Sequence, residues 1–323
     1  MKNNAAMIGG GLIGRAWAMV FARAGWQVRL FDTVPEQRVA ARGYMEASLA
    51  EQQSYGLVDD AASALARIEI VDRLEGAVAD ATWIQESLPE VLAIKREVFA
   101  VLDRLAPPTS IIASSTSALP ASRFTEGLPG RARCLVAHPV NPPHLVPVVE
   151  LCGAPWTAPE ILSCARDVMT AIGQTPVTIH DERDGFVLNR LQGALLSEAM
   201  RLVGEGVVSP EDLDRTVRDG LGLRWSFMGP FATIALNAPG GVDDYCARYG
   251  EFFRGLAADP AKPAAWESAN VASVAAALGD PPGAKERESR MRWRDRRLLA
   301  LRRHKASETE WASEPDFDEG ATP

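Results

Sequence analysis

Apolar residues in the first 180 positions fall in short runs, each closed by glycine or a polar residue: 5–8, 28–31, 67–71, 82–85, 110–113, 133–136, 148–151 and 176–179. Runs of that length, bounded by turn residues, read as strands of a parallel sheet buried on both faces. Between them apolar residues recur at three- and four-residue spacing. This predicts helices over 15–22, over 35–66 with breaks at Gly43 and Gly56, over 89–102 opening at Pro89, and over 158–172 closed by Gly173. After Asp181-Glu-Arg-Asp-Gly185 the strand-like runs stop. Residues 186–203 read as one long helix, Ser209 and Pro210 as a capped helix start, and 230–236 as a further helix. The expected fold class is therefore α/β. A Rossmann-type, doubly wound, mainly parallel sheet spans 1–184, and an all-helical substrate-binding and dimerisation domain spans 185–323. Its acidic tail is expected to fray after about residue 307. The Arg-rich stretch 285–305 reads as a solvated amphipathic helix, with a basic binding face as the alternative.

The first strand runs into Gly9-Gly-Gly11-Leu12-Ile13-Gly14, then a helix, then a second strand closing on Asp32. A lone G-x-G-x-x-G is a weak signal. Here it has the flanking strand and helix, and an acid about 20 residues on. Gly9 suits a tight turn, Gly11 a close approach of pyrophosphate, and Gly14 close helix–strand packing. Asp32 suits the ribose hydroxyls. Thr33 and Val34 supply no arginine for a 2′-phosphate, so the reading is NAD rather than NADP. The alternative is a glycine-rich turn that binds no nucleotide.

Three reactive side-chain types lie at the ends of later runs: Ser117 in Ser114-Ser-Thr-Ser, His138 after 134–137, and Glu150 in Val148-Val-Glu-Leu. In open α/β sheets such strand ends face the ligand. The prolines after His138 exclude helix and predict a stiff loop. Taken singly, Ser117 reads rather as a helix cap and His138 as a satisfied loop histidine; the combination, together with the dinucleotide motif, favours a site. Glu90 falls on the cofactor side of the sheet with Lys95 a turn and a half on; an ordinary solvated helix face is the alternative for both and the preferred reading for Lys95.

Composition narrows the classes. A net charge of −8 and a pI near 5.2 argue against nucleic acid as a partner. Cys134, Cys152, Cys164 and Cys246 lack metal-ligand spacing and read as reduced thiols of a cytoplasmic protein, with no metal site expected. There is no signal-peptide pattern, and no apolar stretch nears the ~20 residues of a membrane span.

With Ser114-Ser-Thr-Ser117, His138-x-x-Asn141-Pro142, Glu150 and Asp184-Gly-Phe-Val-Leu-Asn189-Arg190-Leu191 in view, the chain resembles the 3-hydroxyacyl-CoA dehydrogenase superfamily. Within it, it is most similar to the λ-crystallin and L-gulonate 3-dehydrogenase branch. The resemblance runs from about 5 to 250 and is loose beyond. It implies a catalytic set of Ser117, His138, Glu150 and Asn189. It also implies NAD contacts from Leu12, Ile13, Asp32, Glu90 and Lys95, and a homodimer built through the helical domain. The chemistry agrees: His138 suits a general base oriented by Glu150, while Ser117 and Asn189 suit binding of the substrate oxygen. His144 is the alternative base. With Asn189 on the first helix of the second domain, the site is expected in an interdomain cleft.

The implied activity is NAD-dependent oxidation of the 3-hydroxyl of a small hydroxy acid such as L-gulonate. The alternatives are a 3-hydroxyacyl-CoA dehydrogenase, an L-carnitine 3-dehydrogenase, and a non-catalytic, NAD-binding structural protein. Gly220-Leu-Gly-Leu-Arg224-Trp225-Ser-Phe-Met228-Gly-Pro230 reads as a helix end, a loop and a helix start. Arg224 there is the candidate partner for the substrate's carboxylate, in its own or a partner subunit. Otherwise it caps the helix or pairs with Asp219. The apolar stretch 225–231 reads as a dimer face, or as a buried intramolecular helix.

Overall fold

The computed structural model describes residues 3–307. Strands and helices alternate through the first part of the chain: β1 (Asn4–Ile8), α1 (Leu12–Arg23), β2 (Gln27–Phe31), α2 (Pro35–Ser54), α3 (Ala61–Ala66), β3 (Ile68–Val71), α4 (Leu74–Val78), β4 (Trp83–Glu86), α5 (Leu92–Leu105), β5 (Ile111–Ser114), α6 (Ser122–Thr125), β6 (Cys134–Pro139), β7 (Val148–Gly153), α7 (Pro159–Ala171) and β8 (Thr175–Ile179). The strands form one eight-stranded sheet in the order β3-β2-β1-β4-β5-β6-β7-β8. All neighbours are parallel except β6 and β7, which pair antiparallel with His138 directly opposite Glu150. The order reverses between β1 and β4, the switch point at which doubly wound sheets bind ligands.

Alternate residues of each strand enter different cores, which is why the runs are apolar throughout. On one face Met7, Leu30, Trp83, Ala113 and Leu135 pack with Trp17 and Phe21 of α1 and Met45 and Leu49 of α2. On the other, Ala6, Ile8, Ile84, Ile112 and Val136 pack with Phe99 and Leu102 of α5 and Phe124 of α6. Each such large side chain taken fully from water contributes about 1.5–3 kcal/mol. His138 and Glu150 share the parity of Val136 and Cys152, so they lie on the second face.

Four local expectations are corrected. α2 runs unbroken through Gly43, and the break falls at Gly56, where φ is +74°. α5 starts at Leu92 because Val91 is extended, which leaves Pro89 outside the helix. β6 carries on through His138 and Pro139, so the histidine is a strand residue and only 140–147 form a connection. β5 ends opposite Val136, so Pro139 has only β7 beside it and its missing N–H is tolerated. The long helix begins at Leu188, because Gly185 (φ +77°) and Phe186 (φ +52°) take left-handed backbone just before it.

The chain forms two compact units. Among the described residues the first comprises 3–189 and 292–307, and the second 190–291. The second is helical: most of α8 (Leu188–Gly204), then α9 (Pro210–Arg215), a π-helical turn Thr216–Leu221, α10 (Gly222–Trp225), α11 (Pro230–Leu236), α12 (Gly241–Ala257), α13 (Ser268–Leu278) and the start of α14 (Ala284–Ser307). Ser209 caps α9 by accepting the Asp212 N–H, as its position predicts. The helix end, loop and helix start expected over 220–230 are present: α10 ends at Trp225, 226–229 form a turn, and α11 opens at Pro230. The stretch 285–305 is helical, but its second half belongs to the first unit. The tail beyond 307 lies outside the described residues. No described helix is long and apolar enough to cross a membrane. Cys134 and Cys152 are buried, with thiols pushed up to about 12 by burial, while Cys164 and Cys246 are exposed.

Candidate active site

The glycine loop between β1 and α1 has the shape the motif requires. At Gly9 φ is +110°, and a Cβ would lie 2.8 Å from the Ser87 carbonyl oxygen. A Cβ on Gly14 would lie 1.8 Å from the Gly9 oxygen, so only glycine lets α1 start this close to β1. Around Gly11 the space is open. The first turn of α1, at Leu12 and Ile13, supplies the free N–H groups that favour phosphate. Asp32 Oδ2 accepts the Gly10 N–H at 2.7 Å and Oδ1 the Val34 N–H at 2.8 Å. That uses two of about four acceptor positions of a carboxylate and leaves room for ribose hydroxyls. The residues therefore fit a dinucleotide. Sequence reading passed over Arg38, one turn into α2, whose guanidinium donates to the Asp32 carbonyl at 2.7 Å.

Lys95 does not lie on a solvated face; it is 1% exposed. Its ammonium donates to both oxygens of Glu86, each at 3.1 Å, and stands 3.8 Å from Glu90 Oε2. Glu86, at the end of β4, also accepts Ser114 Oγ–H at 2.5 Å and the Leu88 N–H at 2.7 Å. Glu90 accepts from Thr116 Oγ1 and from the Ala118 and Leu119 N–H groups. Partial burial raises the Glu90 carboxyl, and these donors with the Lys95 charge outweigh it and hold it below the usual range. Both residues thus brace the turn after β5 that carries Ser117.

His138 Nδ1 and Glu150 Oε2 are 2.7 Å apart, with both side chains buried. An ionised carboxylate only accepts, so Nδ1 donates and Nε2 keeps its lone pair. Nε2 makes no hydrogen bond to a described residue. Glu150 Oε1 accepts the Val187 and Leu188 N–H groups, at 2.9 and 2.8 Å, at the start of α8. Burial raises the Glu150 carboxyl, but the His138 bond and these two N–H groups outweigh it and hold it below the usual carboxylate range. The Phe186 ring lies 5.6 Å from the imidazole. One residue beyond Leu188, Asn189 Nδ2 donates to the Ser117 carbonyl at 2.7 Å. A continuous path thus links His138, Glu150, the start of α8, Asn189 and the exposed Ser117.

Residues 4–182 match the model of the 3-hydroxyacyl-CoA dehydrogenase NAD-binding domain, and 185–267 match that of the same family's C-terminal domain. The chain is 41% identical over 311 residues to a λ-crystallin homolog of Bos taurus, covering 92% of this chain and 94% of that protein. The chain belongs to the 3-hydroxyacyl-CoA dehydrogenase family. This family member is also 38% identical to an L-carnitine dehydrogenase of Streptomyces coelicolor, over 72% of each chain. Its fold matches that of 5-formyl-3-hydroxy-2-methylpyridine 4-carboxylic acid 5-dehydrogenase, described as an NAD-dependent dismutase. The TM-score is 0.82 and the identity 29%, across 96% of this chain and all of that one.

The chain is accordingly an oxidoreductase with an NAD-binding domain. Arg224, in the helical unit, is exposed and makes no ion pair or side-chain hydrogen bond with a described residue. The expected alternative pairing with Asp219 does not form, because Asp219 is held by Arg218 at 2.6 Å.

Proposed function

We propose that this dehydrogenase oxidises the 3-hydroxyl of a small, free hydroxy acid with NAD, L-gulonate being the named candidate. The observation that carries the reading is the buried His138–Glu150 pair, whose free Nε2 lone pair suits removal of a hydroxyl proton. Glu150 fixes the imidazole tautomer and stabilises the imidazolium that forms. Asn189 holds the Ser117 turn, and the Ser117 hydroxyl hydrogen-bonds the substrate oxygen. NAD, held by the Gly9–Gly14 loop and Asp32, supplies the acceptor for hydride from the carbinol carbon. Glu90 and Lys95 shape the cofactor side of the same turn.

The free-acid assignment rests on Arg224, whose planar fork suits a carboxylate. Carnitine and the pyridine carboxylic acid in the relatives' names both carry a free carboxylate. A thioester has no charge at that position. The four free thiols fit the cytoplasm, where cysteines stay reduced.

Turnover with NAD is compared on L-gulonate, L-carnitine, 3-hydroxybutyrate and 3-hydroxybutyryl-CoA. A free acid is the preferred substrate. Arg224→Met raises its KM roughly ten- to hundredfold, since a lost charged hydrogen bond costs about 1.5–3 kcal/mol. Preference for the acyl-CoA overturns the free-acid reading, and NADH binding without turnover on any of the four supports a structural role instead.

A further inference from the structure

The family's C-terminal domain model ends at residue 267, and α14 begins beyond it, at Ala284. Nothing in the reaction described above uses this Arg-rich helix. Its less exposed residues are nonetheless ordered: Arg294, Asp295, Leu298, Leu299 and Arg302 fall on one stripe at helical spacing, with Leu299 1% exposed. This half of α14 belongs to the first unit. Arg302 Nη1 donates to the His144 carbonyl at 3.1 Å. Arg23 of α1 donates to the same oxygen at 2.8 Å and to Gln52 of α2 at 3.0 Å. The His144 ring stands edge-on to Tyr44 of α2, and the Arg15 guanidinium lies 3.7 Å over that tyrosine.

His144 sits in the 140–147 connection that joins β6 to β7, the strands that carry His138 and Glu150. Its carbonyl is therefore where the hairpin connection, the helix after the glycine loop and α14 meet. We infer that α14 is a strap for this hairpin, with Arg302 a positioning residue that pins the 140–147 connection against α1. The inference rests on the dehydrogenase reading only for its effect on turnover. Two guanidiniums on one carbonyl repel, and burial together with the Arg302 charge pushes Arg23 down to about 9. Removing Arg302 thus frees the connection while relieving a like-charge neighbour, so overall stability changes less than position does.

The test uses the full chain with Arg302→Met and Arg302→Lys. Hydrogen–deuterium exchange is followed for peptides covering 140–147, with kcat, KM and NADH affinity measured beside it. Arg302→Met speeds exchange in 140–147 and lowers kcat by about tenfold, less than the ~10²-fold that a 1 Å misplacement can cost. KM and NADH affinity stay near the parent values, and Arg302→Lys restores part of both the protection and kcat. Unchanged exchange in 140–147, or a rise spread evenly over the whole sheet, overturns the strap. Faster exchange confined to 140–147, in a protein whose parent turns over none of the hydroxy acids, keeps the strap and overturns the reaction assigned above.

Discussion

His138 and His144 belong to one hairpin but meet opposite surroundings. His138 faces a carboxylate at 2.7 Å. His144 is 1% exposed, and burial, followed by the charges of Arg23, Arg294, Arg302 and Arg15, pushes its pKa down to about 3. It therefore stays neutral across the working range, and its ring cannot hold a proton taken from substrate. His138→Gln should lose about 10²–10⁴-fold in kcat, the usual contribution of a general base, while NADH still binds. Steady-state rates beside a fluorescence titration with NADH check both halves. A loss smaller than tenfold would move the base away from His138. The sequence showed that a hydroxyl, an imidazole and a carboxylate fall at strand ends. It did not show that Lys95 is buried, because one lysine within an amphipathic helix looks solvated until its acid, Glu86 of another element, is known.

The elements divide by how far their packing is local. β1, α1 and β2 were readable because the glycine spacing and the closing aspartate are set by a single turn. The antiparallel pairing of β6 and β7 was not, since both strands are buried on both faces and show no polar–apolar alternation to set them apart from their parallel neighbours. α14 was legible as a helix, but its inward face was not: the stripe is Arg-Asp-Leu-Leu-Arg, so burial follows charged residues that a hydrophobic pattern counts as surface. Glycines show the same contrast. Gly14→Ala places a methyl 1.8 Å from a backbone oxygen, and the strain is of the overpacking kind, about 1–3 kcal/mol. It should lower the thermal midpoint and weaken NADH binding together. Gly43→Ala meets nothing within 4 Å and lies mid-helix on an exposed face, so it should raise stability by about 0.8–1 kcal/mol. Denaturant midpoints of the two variants should shift in opposite directions.

The two units differ sharply in what they bury. The first holds both hydrophobic cores. Across 190–291 only Thr233, Ala238, Ala265 and Val274 are buried, while Phe227, Phe231, Leu236 and Phe252 are each more than 60% exposed. A helical unit with so little core needs further apolar surface to cover it, and a second copy of the chain fits the homodimer that the sequence suggested. Light scattering at micromolar concentration should give twice the 34.8 kDa chain mass. A monomer mass would refute the dimer. If dimerisation completes the fold, the thermal midpoint should also rise with protein concentration.

The first unit is also discontinuous along the chain, which gives its assembly an order in time. At about 5–20 residues per second of synthesis, the intervening chain keeps the end of α14 away for roughly 6–26 s after β8 has emerged. During that interval the nascent chain already carries its glycine loop and its paired histidine, but the His144 carbonyl has only Arg23. The second half of α14 is therefore made well after the hairpin connection that it closes.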